Sequence, residues 1–336
     1  MLDYIKSLTA ERCISGDEGS IRKLIINILR SFPQRVDPLG NLLVKNSGFP
    51  PANKVAVFAH MDEVGLLITH VLDNGLLKFV PIGIDPAALF GRRVVIGENK
   101  TTGVIGAKVW HHLEKSEREA ALKADNLFID IGASSKEEAL QAVNLGDGAT
   151  FEEQLVQFGD GLLMSRALDN RVGCAILLEL LRNNTTYEFT AAFTCGEESS
   201  LFGATVAANS IAPDIAVILE TTTSGDVDGA PSDKVVCALN KGPVVSFADR
   251  GTLYDRELYA LAMETAKENG IPVQTKEGVY GGNEARAVSR SGAGVRTIAI
   301  SVPCRYLHSS SCVVSMQDVE NTSKLVRALM PRLAML

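Results

Sequence analysis

Five side chains able to bind a cation or move a proton fall where apolar runs of strand length end: His60, Glu197, Glu198, Glu220 and His308. His60 follows the run Lys54 to Ala59, and Glu220 follows Asp214 to Leu219. Glu188 to Thr194 is short, apolar and aromatic-rich, as in a strand buried on both faces; Glu197 and Glu198 stand between it and an Ala-rich helix from Leu201 to Asn209. His308 lies just beyond the buried strand expected over Val295 to Val302. Ligands of open α/β sheets bind outside the carboxyl ends of the strands. Two adjacent carboxylates in such a place are costly unless a cation or proton compensates them, so one of the pair reads as a metal ligand and the other as a base. A solvated Glu-Glu at a helix N-terminus is the competing reading of that stretch alone.

Other strand ends favour the metal. His60 and Asp62 are two residues apart and can point the same way from an extended segment, which suits an imidazole held by a carboxylate. Asp169, in Ala167-Leu168-Asp169-Asn170-Arg171, leads into an apolar helix, Cys174 to Leu181, that could reach the same rim, although an N-cap would also explain it. Two imidazoles and three carboxylates, one of them bridging, can hold two divalent ions about 3.5–4 Å apart and leave a carboxylate free as base. Mixed N/O ligation points to zinc, with cobalt or manganese as alternatives. His70 has no acidic neighbour and the adjacent His111 and His112 would diverge, so these three read as surface residues.

The rest of the chain must position that set. Its 336 residues, 46% apolar and 22% charged, suffice for a large core and a second module. A net charge of −7 and the lack of basic runs interleaved with aromatics argue against nucleic acid as a partner. Six cysteines without a Cys-x-x-Cys pair read as reduced, buried thiols. Met1 to Ser15 lacks the apolar core of a signal peptide and no apolar run approaches the roughly 18 residues of a membrane span, so a cytoplasmic protein with no membrane partner is expected. Ser15 and Glu18, at capping-box spacing, open an amphipathic helix. From about Leu66 to Gly161 short alternating segments broken by Gly, Pro and Asn indicate a small β-rich module; Lys136 to Val143 reads as its helix and Asp147 to Phe158 as a further strand region. Lys234 to Leu239, Pro243 to Phe247 and Pro272 to Lys276 read as strands, and Leu253 to Glu268 and Met316 to Leu333 as helices. No P-loop or Gly-x-Gly-x-x-Gly fingerprint is present.

Ala59-His60-Met61-Asp62-Glu63-Val64-Gly65, Ala167 to Arg171, Glu197-Glu198 with Gly203-Ala204, Gly281-Gly282 and Arg305-Tyr306-Leu307-His308-Ser309 resemble the cytosolic dinuclear metallo-aminopeptidases that include glutamyl and deblocking aminopeptidases and assemble as tetrahedral particles. The resemblance spans nearly the whole chain. It implies a three-layer α/β metallopeptidase domain with a mixed, largely parallel sheet, built from 1–65 and 162–336, and an inserted β-rich, barrel-like domain at 66–161 that serves dimerisation and assembly. It implies that His60 and Glu220 bind one ion, Glu198 and His308 the other, with Asp169 bridging. Glu197 would be the general base and Asp62 the partner of His60 behind the metal, in an enzyme that removes N-terminal residues from short peptides by a metal-activated water. A homo-oligomer as large as a dodecamer is implied as well. Two departures stand out: Glu220 occupies a position usually held by Asp, and Asn283-Glu284 replaces Thr-Asp, which bears on specificity or loop packing. Cys195-Gly196 replaces the commoner Val-Gln. The alternatives are a metal-stabilised assembly or binding protein without turnover and, less favoured, a glycoside hydrolase. In the latter the two acids would have to flank a sugar about 5–9.5 Å apart, which chain neighbours do not.

Overall fold

The computed structural model describes residues 1–112, 114, 121–152, 155–183, 186–231 and 234–336. Its core is a mixed sheet whose central four strands run parallel in the order Thr190–Thr194, Val55–His60, Ile215–Thr223 and Arg296–Arg305. Antiparallel strands complete both flanks. Leu42–Lys45 and then Gln34–Val36 lie beyond Thr190–Thr194; Cys312–Ser315, Leu162–Ser165 and Val156–Phe158 lie beyond Arg296–Arg305.

The period of two along each strand sorts the sheet into two faces. Val55, Val57, Ala59, Phe193, Val217 and Leu219 pack with Ile5, Leu8, Leu177, Leu258 and Leu329 from the large helices. Ala56, Phe58, Ala192, Ala216, Ile218 and Ala299 pack instead with Ala204, Ala207 and Ala208 of the helix Phe202–Ile211 and with Ala285 and Val288. Small residues on both sides of this second interface let helix and sheet approach closely. His60 and Glu220 continue the alternation of Phe58 and Ile218, so sequence parity places both on the Ala-lined side.

Six strands, Gly65–Val71, Leu77–Ile82, Leu127–Asp130, Thr101–Ala107, Arg93–Ile96 and Gly148–Phe151, close into a barrel with its own core, including Leu66, Ile68, Val94, Ile105 and Ile129. The texture change at Leu66 marks the entry into this barrel. Val156–Phe158 does not belong to it: that strand pairs with Leu162–Ser165 at the edge of the large sheet. The barrel strand Leu127–Asp130 has no counterpart among the segments read from sequence.

Several local expectations are corrected. Ser15 and Glu18 form no capping box: the Ser15 hydroxyl donates to Asp62 Oδ2 at 2.6 Å, and Glu18 Oε1 accepts from the Gly16 and Gly196 amides, both at 2.9 Å. Lys234 to Leu239 is not a strand, and Pro243 to Phe247 reduces to Val244–Val245. Glu220 is not at a strand end but inside a strand that continues to Thr223. No described helix is long and apolar enough to cross a membrane. All six cysteines are buried and unpaired.

Candidate metal centre

His60 is the last residue of its strand, and Thr194 beside it in register ends the next. After Thr194 the chain must turn from strand to helix in a few residues. Gly196 makes that turn at φ 66, where a Cβ would stand 2.0 Å from the Phe202 ring, so no other residue fits without repacking. The turn delivers Glu197 and Glu198 to the rim. Asp169 opens the helix Leu168–Asn183 in a non-helical conformation, with a cis peptide to Asn170. Asn170 is anchored at both ends of its side chain: its Nδ2 donates to the Leu219 carbonyl at 2.7 Å and its Oδ1 accepts from the Gly173 amide at 3.1 Å. His308 sits at φ 55 in the turn between Arg296–Arg305 and Cys312–Ser315.

These elements converge on Asp169. His60 Nε2 lies 3.5 Å from Asp169 Oδ1 and 3.4 Å from Glu220 Oε1. His308 Nε2 lies 3.2 Å from the other oxygen, Asp169 Oδ2, and 3.4 Å from Glu198 Oε2. Ligand atoms of His60, Asp169 and Glu220 all lie within 4.8 Å of one another, as do those of Asp169, Glu198 and His308 and those of His60, Glu197 and Glu198. On the far side of the ring, His60 Nδ1 is 3.1 Å from the Asp62 backbone carbonyl. A carbonyl only accepts, so in the neutral ring Nδ1 carries the hydrogen and the Nε2 lone pair faces Asp169 and Glu220.

Asp62 also makes contacts beyond the one expected with His60. Its carboxylate is 3.5 Å from His60 Nδ1, farther than its own backbone oxygen. The closer contacts are with the acidic turn: Oδ1 accepts from the Glu197 amide at 3.1 Å, and Oδ2 accepts from the Glu198 amide at 3.0 Å and from Ser15. Glu63, next along the chain, is buried in an ion-paired cluster with Arg166 and Arg171 and accepts from the Cys13 amide at 3.1 Å. This cluster ties the His60 loop to the segment that leads into Asp169.

The electrostatics call for positive charge. Burial pushes Glu197 and Glu198 well above the usual carboxylate range, and the neighbouring carboxylates add to the shift. Burial also lifts Glu220 to about 7, against the attraction of His60. Burial pulls the His60 ring down, but Glu220, Asp169 and Asp62 together outweigh it and hold the ring well above its ordinary value. Asp169 Oδ1, Glu198 Oε1 and Glu220 Oε2 are buried without a hydrogen-bond partner. Unpartnered buried oxygens crowded around two imidazoles are the donor set of divalent cations, so the residues present fit two such ions. A cleft of about 340 Å³, walled by His60, Asp169, Glu197, Glu220, Leu307 and His308 among others, opens onto them.

All seven residues singled out in the sequence thus belong to one constellation. His70, His111 and His112 lie outside it and are exposed. Around it stand Asn283 and Glu284, which the sequence marks as bearing on specificity or loop packing, and Lys276, which it does not mark. Asn283 is buried and bonds through Nδ2 to the Tyr254 hydroxyl at 3.0 Å, and that hydroxyl donates to Asp249 at 2.6 Å. Glu284 is fully buried, with neither oxygen hydrogen-bonded. Lys276, read only as the end of a strand, is buried in the wall of a recess next to the cleft.

Comparison with known proteins bears on this arrangement. The M42 glutamyl aminopeptidase family matches residues 40–325. A protein of Acetivibrio thermocellus provisionally described as an aminopeptidase is 37% identical over 331 residues, 97% of each chain. Lysyl aminopeptidase of Pyrococcus furiosus is 31% identical, covering 99% of this chain and 98% of its own. The TET1 peptidase of Pyrococcus horikoshii, described as able to assemble into a tetrahedron or a large octahedral shell, superposes with a TM-score of 0.85 at 35% identity over 98% of both chains. With matches of this length and a common fold, the chain belongs to the M42 glutamyl aminopeptidase family, a family of aminopeptidases.

Proposed function

We propose that the chain is a dinuclear metal-dependent aminopeptidase acting on short peptides, with Glu197 as general base. The observation that carries this reading is the division of Asp169: one carboxylate oxygen faces His60 and the other faces His308. In the proposed arrangement His60 and Glu220 hold one ion, Glu198 and His308 the other, and Asp169 serves both. Zinc suits the mixed N/O donors, with cobalt or manganese as alternatives. Two such ions supply Lewis acidity, making a water acidic near neutral pH and polarising the scissile carbonyl.

The chain's own groups do the rest. Glu197, whose carboxyl is raised by burial, is suited to take a proton from the attacking water and return it to the leaving amine. Asp62 fixes the backbone that aims Glu197 and Glu198. The segments 1–65 and 162–336 would form the catalytic unit and the insertion at 66–161 the dimerisation and assembly unit of a homo-oligomer as large as a dodecamer, in the cytoplasm.

The test is metal content together with turnover. Protein reloaded with zinc, cobalt or manganese should carry two ions per chain and release p-nitroaniline from aminoacyl p-nitroanilides. Glu197→Gln should keep both ions and lose at least about a hundredfold in kcat. Near-normal activity in that variant would remove Glu197 from the base role, and a chain that takes up no metal would refute the centre itself.

A further inference from the structure

We propose that the main chain of a bound peptide lies against the backbone of Gly282, and that this residue is glycine because the substrate, and not the fold, leaves no room for a side chain. The contact presupposes the aminopeptidase reading above and specifies how that site holds its substrate. The Gly281-Gly282 pair stands out in the sequence yet supplies no metal ligand. Both residues wall the cleft that opens onto His60, Asp169, Glu197, Glu220 and His308, and both also wall a recess of about 80 Å³ beside it, so a molecule filling either space can touch them.

Glycine is costly in backbone entropy and is found where something requires it: a left-handed conformation, or a close approach that a Cβ would obstruct. The chain has 29 glycines, and every other one either has a positive φ or would bring a Cβ within 4.0 Å of a described atom. Gly282 alone shows neither: its φ lies outside the left-handed region, and a Cβ would meet nothing described within 4 Å. Nor does the residue serve as a loose joint. On one side the Arg250 amide donates to the Gly281 carbonyl at 2.9 Å. On the other, Asn283 is buried; its Nδ2 donates to the Tyr254 hydroxyl at 3.0 Å and its Oδ1 accepts from the Ala285 amide at 2.9 Å. The Tyr254 hydroxyl is itself held by Asp249 at 2.6 Å. A segment pinned at both ends cannot retreat from a Cβ-sized obstacle without breaking these bonds. What is left to require glycine is a partner that comes and goes, lying close to the backbone. The Gly282 amide donates to no described residue, so it is free to donate to a carbonyl of that partner. A peptide main chain meets both demands: extended, it is slim enough to approach another backbone, and it carries a carbonyl acceptor at every residue.

The experiment compares metal-loaded Gly282→Ala and Gly282→Val with the parent on tripeptides that carry alanine, leucine or lysine ahead of two glycines. The free protein has room for the added methyl, so Gly282→Ala should keep the parent's metal content and melt at the same temperature or higher. Its kcat/KM should nonetheless fall by at least about tenfold, and further in Gly282→Val, by a similar factor for all three peptides, because the main chain is common to them. Unchanged kcat/KM in Gly282→Ala overturns the assignment. So does a loss confined to the leucine and lysine peptides, which would move Gly282 to a side-chain pocket, and so does a fall in Tm or metal content, which would mean that the fold itself requires glycine. Calorimetric binding of trialanine in a Glu197→Gln background, where it is not consumed, separates this contact from the reading beneath it. If the parent hydrolyses no peptide, the aminopeptidase reading fails. Trialanine affinity weakened by at least about tenfold on adding Gly282→Ala would still uphold the contact, whereas equal affinity, or no binding to Glu197→Gln, would refute it.

Discussion

Asp62→Asn separates two roles that a carboxylate beside a metal-binding histidine can play. If its purpose is to hold the His60 ring, the variant should lose metal. The geometry gives it a further role: the Asp62 backbone oxygen, which the substitution leaves in place, is nearer to the ring at 3.1 Å than the carboxylate at 3.5 Å, and the carboxylate receives the Glu197 and Glu198 amides on its two different oxygens. A carboxamide has one acceptor oxygen. Whichever way it turns, its NH2 faces one of those amides and leaves a buried N–H unpaired, at about 1–3 kcal/mol. The bonds that survive lose their ionic character, for roughly 1 kcal/mol more. The sum is about 2–4 kcal/mol, or a fall in Tm of roughly 4–10 °C on the scale of large domains. The acidic turn should shift with it, lowering kcat by about tenfold or more, since catalysis is sensitive to misplacement on the order of 1 Å. Ser15→Ala removes one neutral donor and should cost only about 1 kcal/mol. Metal content, Tm and kcat measured together decide the matter. Wild-type stability and turnover in Asp62→Asn would refute the reasoning, and loss of metal with the turn intact would restore the carboxylate to His60.

The acid side of the same site has a pH signature. Burial pushes the Asp62 carboxyl upward, but the His60 ring, the Ser15 hydroxyl and the Glu198 amide outweigh it and leave its pKa lowered, so its stabilising contribution is present above the ordinary carboxylate value and is lost as pH falls through the depressed one. Glu284 runs the other way: burial raises its carboxyl from 4.5 to about 8, so its contribution is full below 4.5 and is lost as pH rises through about 8. In metal-free protein Glu284→Gln should therefore be more resistant to urea than the parent at about pH 8.5 and similar to it at about pH 4; parallel pH profiles would oppose this. Burial also pushes Cys174, Cys195 and Cys237 up to about 12, so a disulfide reagent at about pH 8 should leave these thiols of the native protein intact and modify all six only after denaturation. Rapid modification of Cys174 in the native state would contradict its burial.

What could be read from the sequence follows from how far each signal reaches along the chain. His60, Glu197 and Glu198 follow apolar runs closely enough that strand ends locate them. The sequence puts Glu220 on the right strand but at its end, because Glu and three threonines look like a loop when they are the continuation of a buried strand: a polar residue buried in a sheet is indistinguishable, in one dimension, from one facing water. The barrel was legible as a change of texture at Leu66, yet Val156–Phe158 shares that texture and belongs to the other sheet, since pairing partners are chosen across space and not by composition.

What sequence leaves without a role has a physical cause. Thr221, and Glu284, which the sequence marks only as a departure, are polar groups whose significance lies in burial without a partner, a property that only the assembled fold confers. Glu284 shows the consequence of such burial. Its neighbours on the Ala-lined face, Ala204, Ala207 and Ala208 against Ala216 and Ala299, are small, and the helix that follows it, Ala285–Val288, packs on that face. Glu284, at the head of this helix, lies beside Thr194, which pairs in register with His60 on the adjacent strand. Held neutral by burial, it places no extra negative charge behind the proposed ligands. Ionised, it would add one more carboxylate to a site already crowded with them. The stability of Glu284→Gln at high pH therefore reports on how much negative charge the centre tolerates before cations arrive, and a variant that lost stability there would mean that Glu284 is charged and paired within the site.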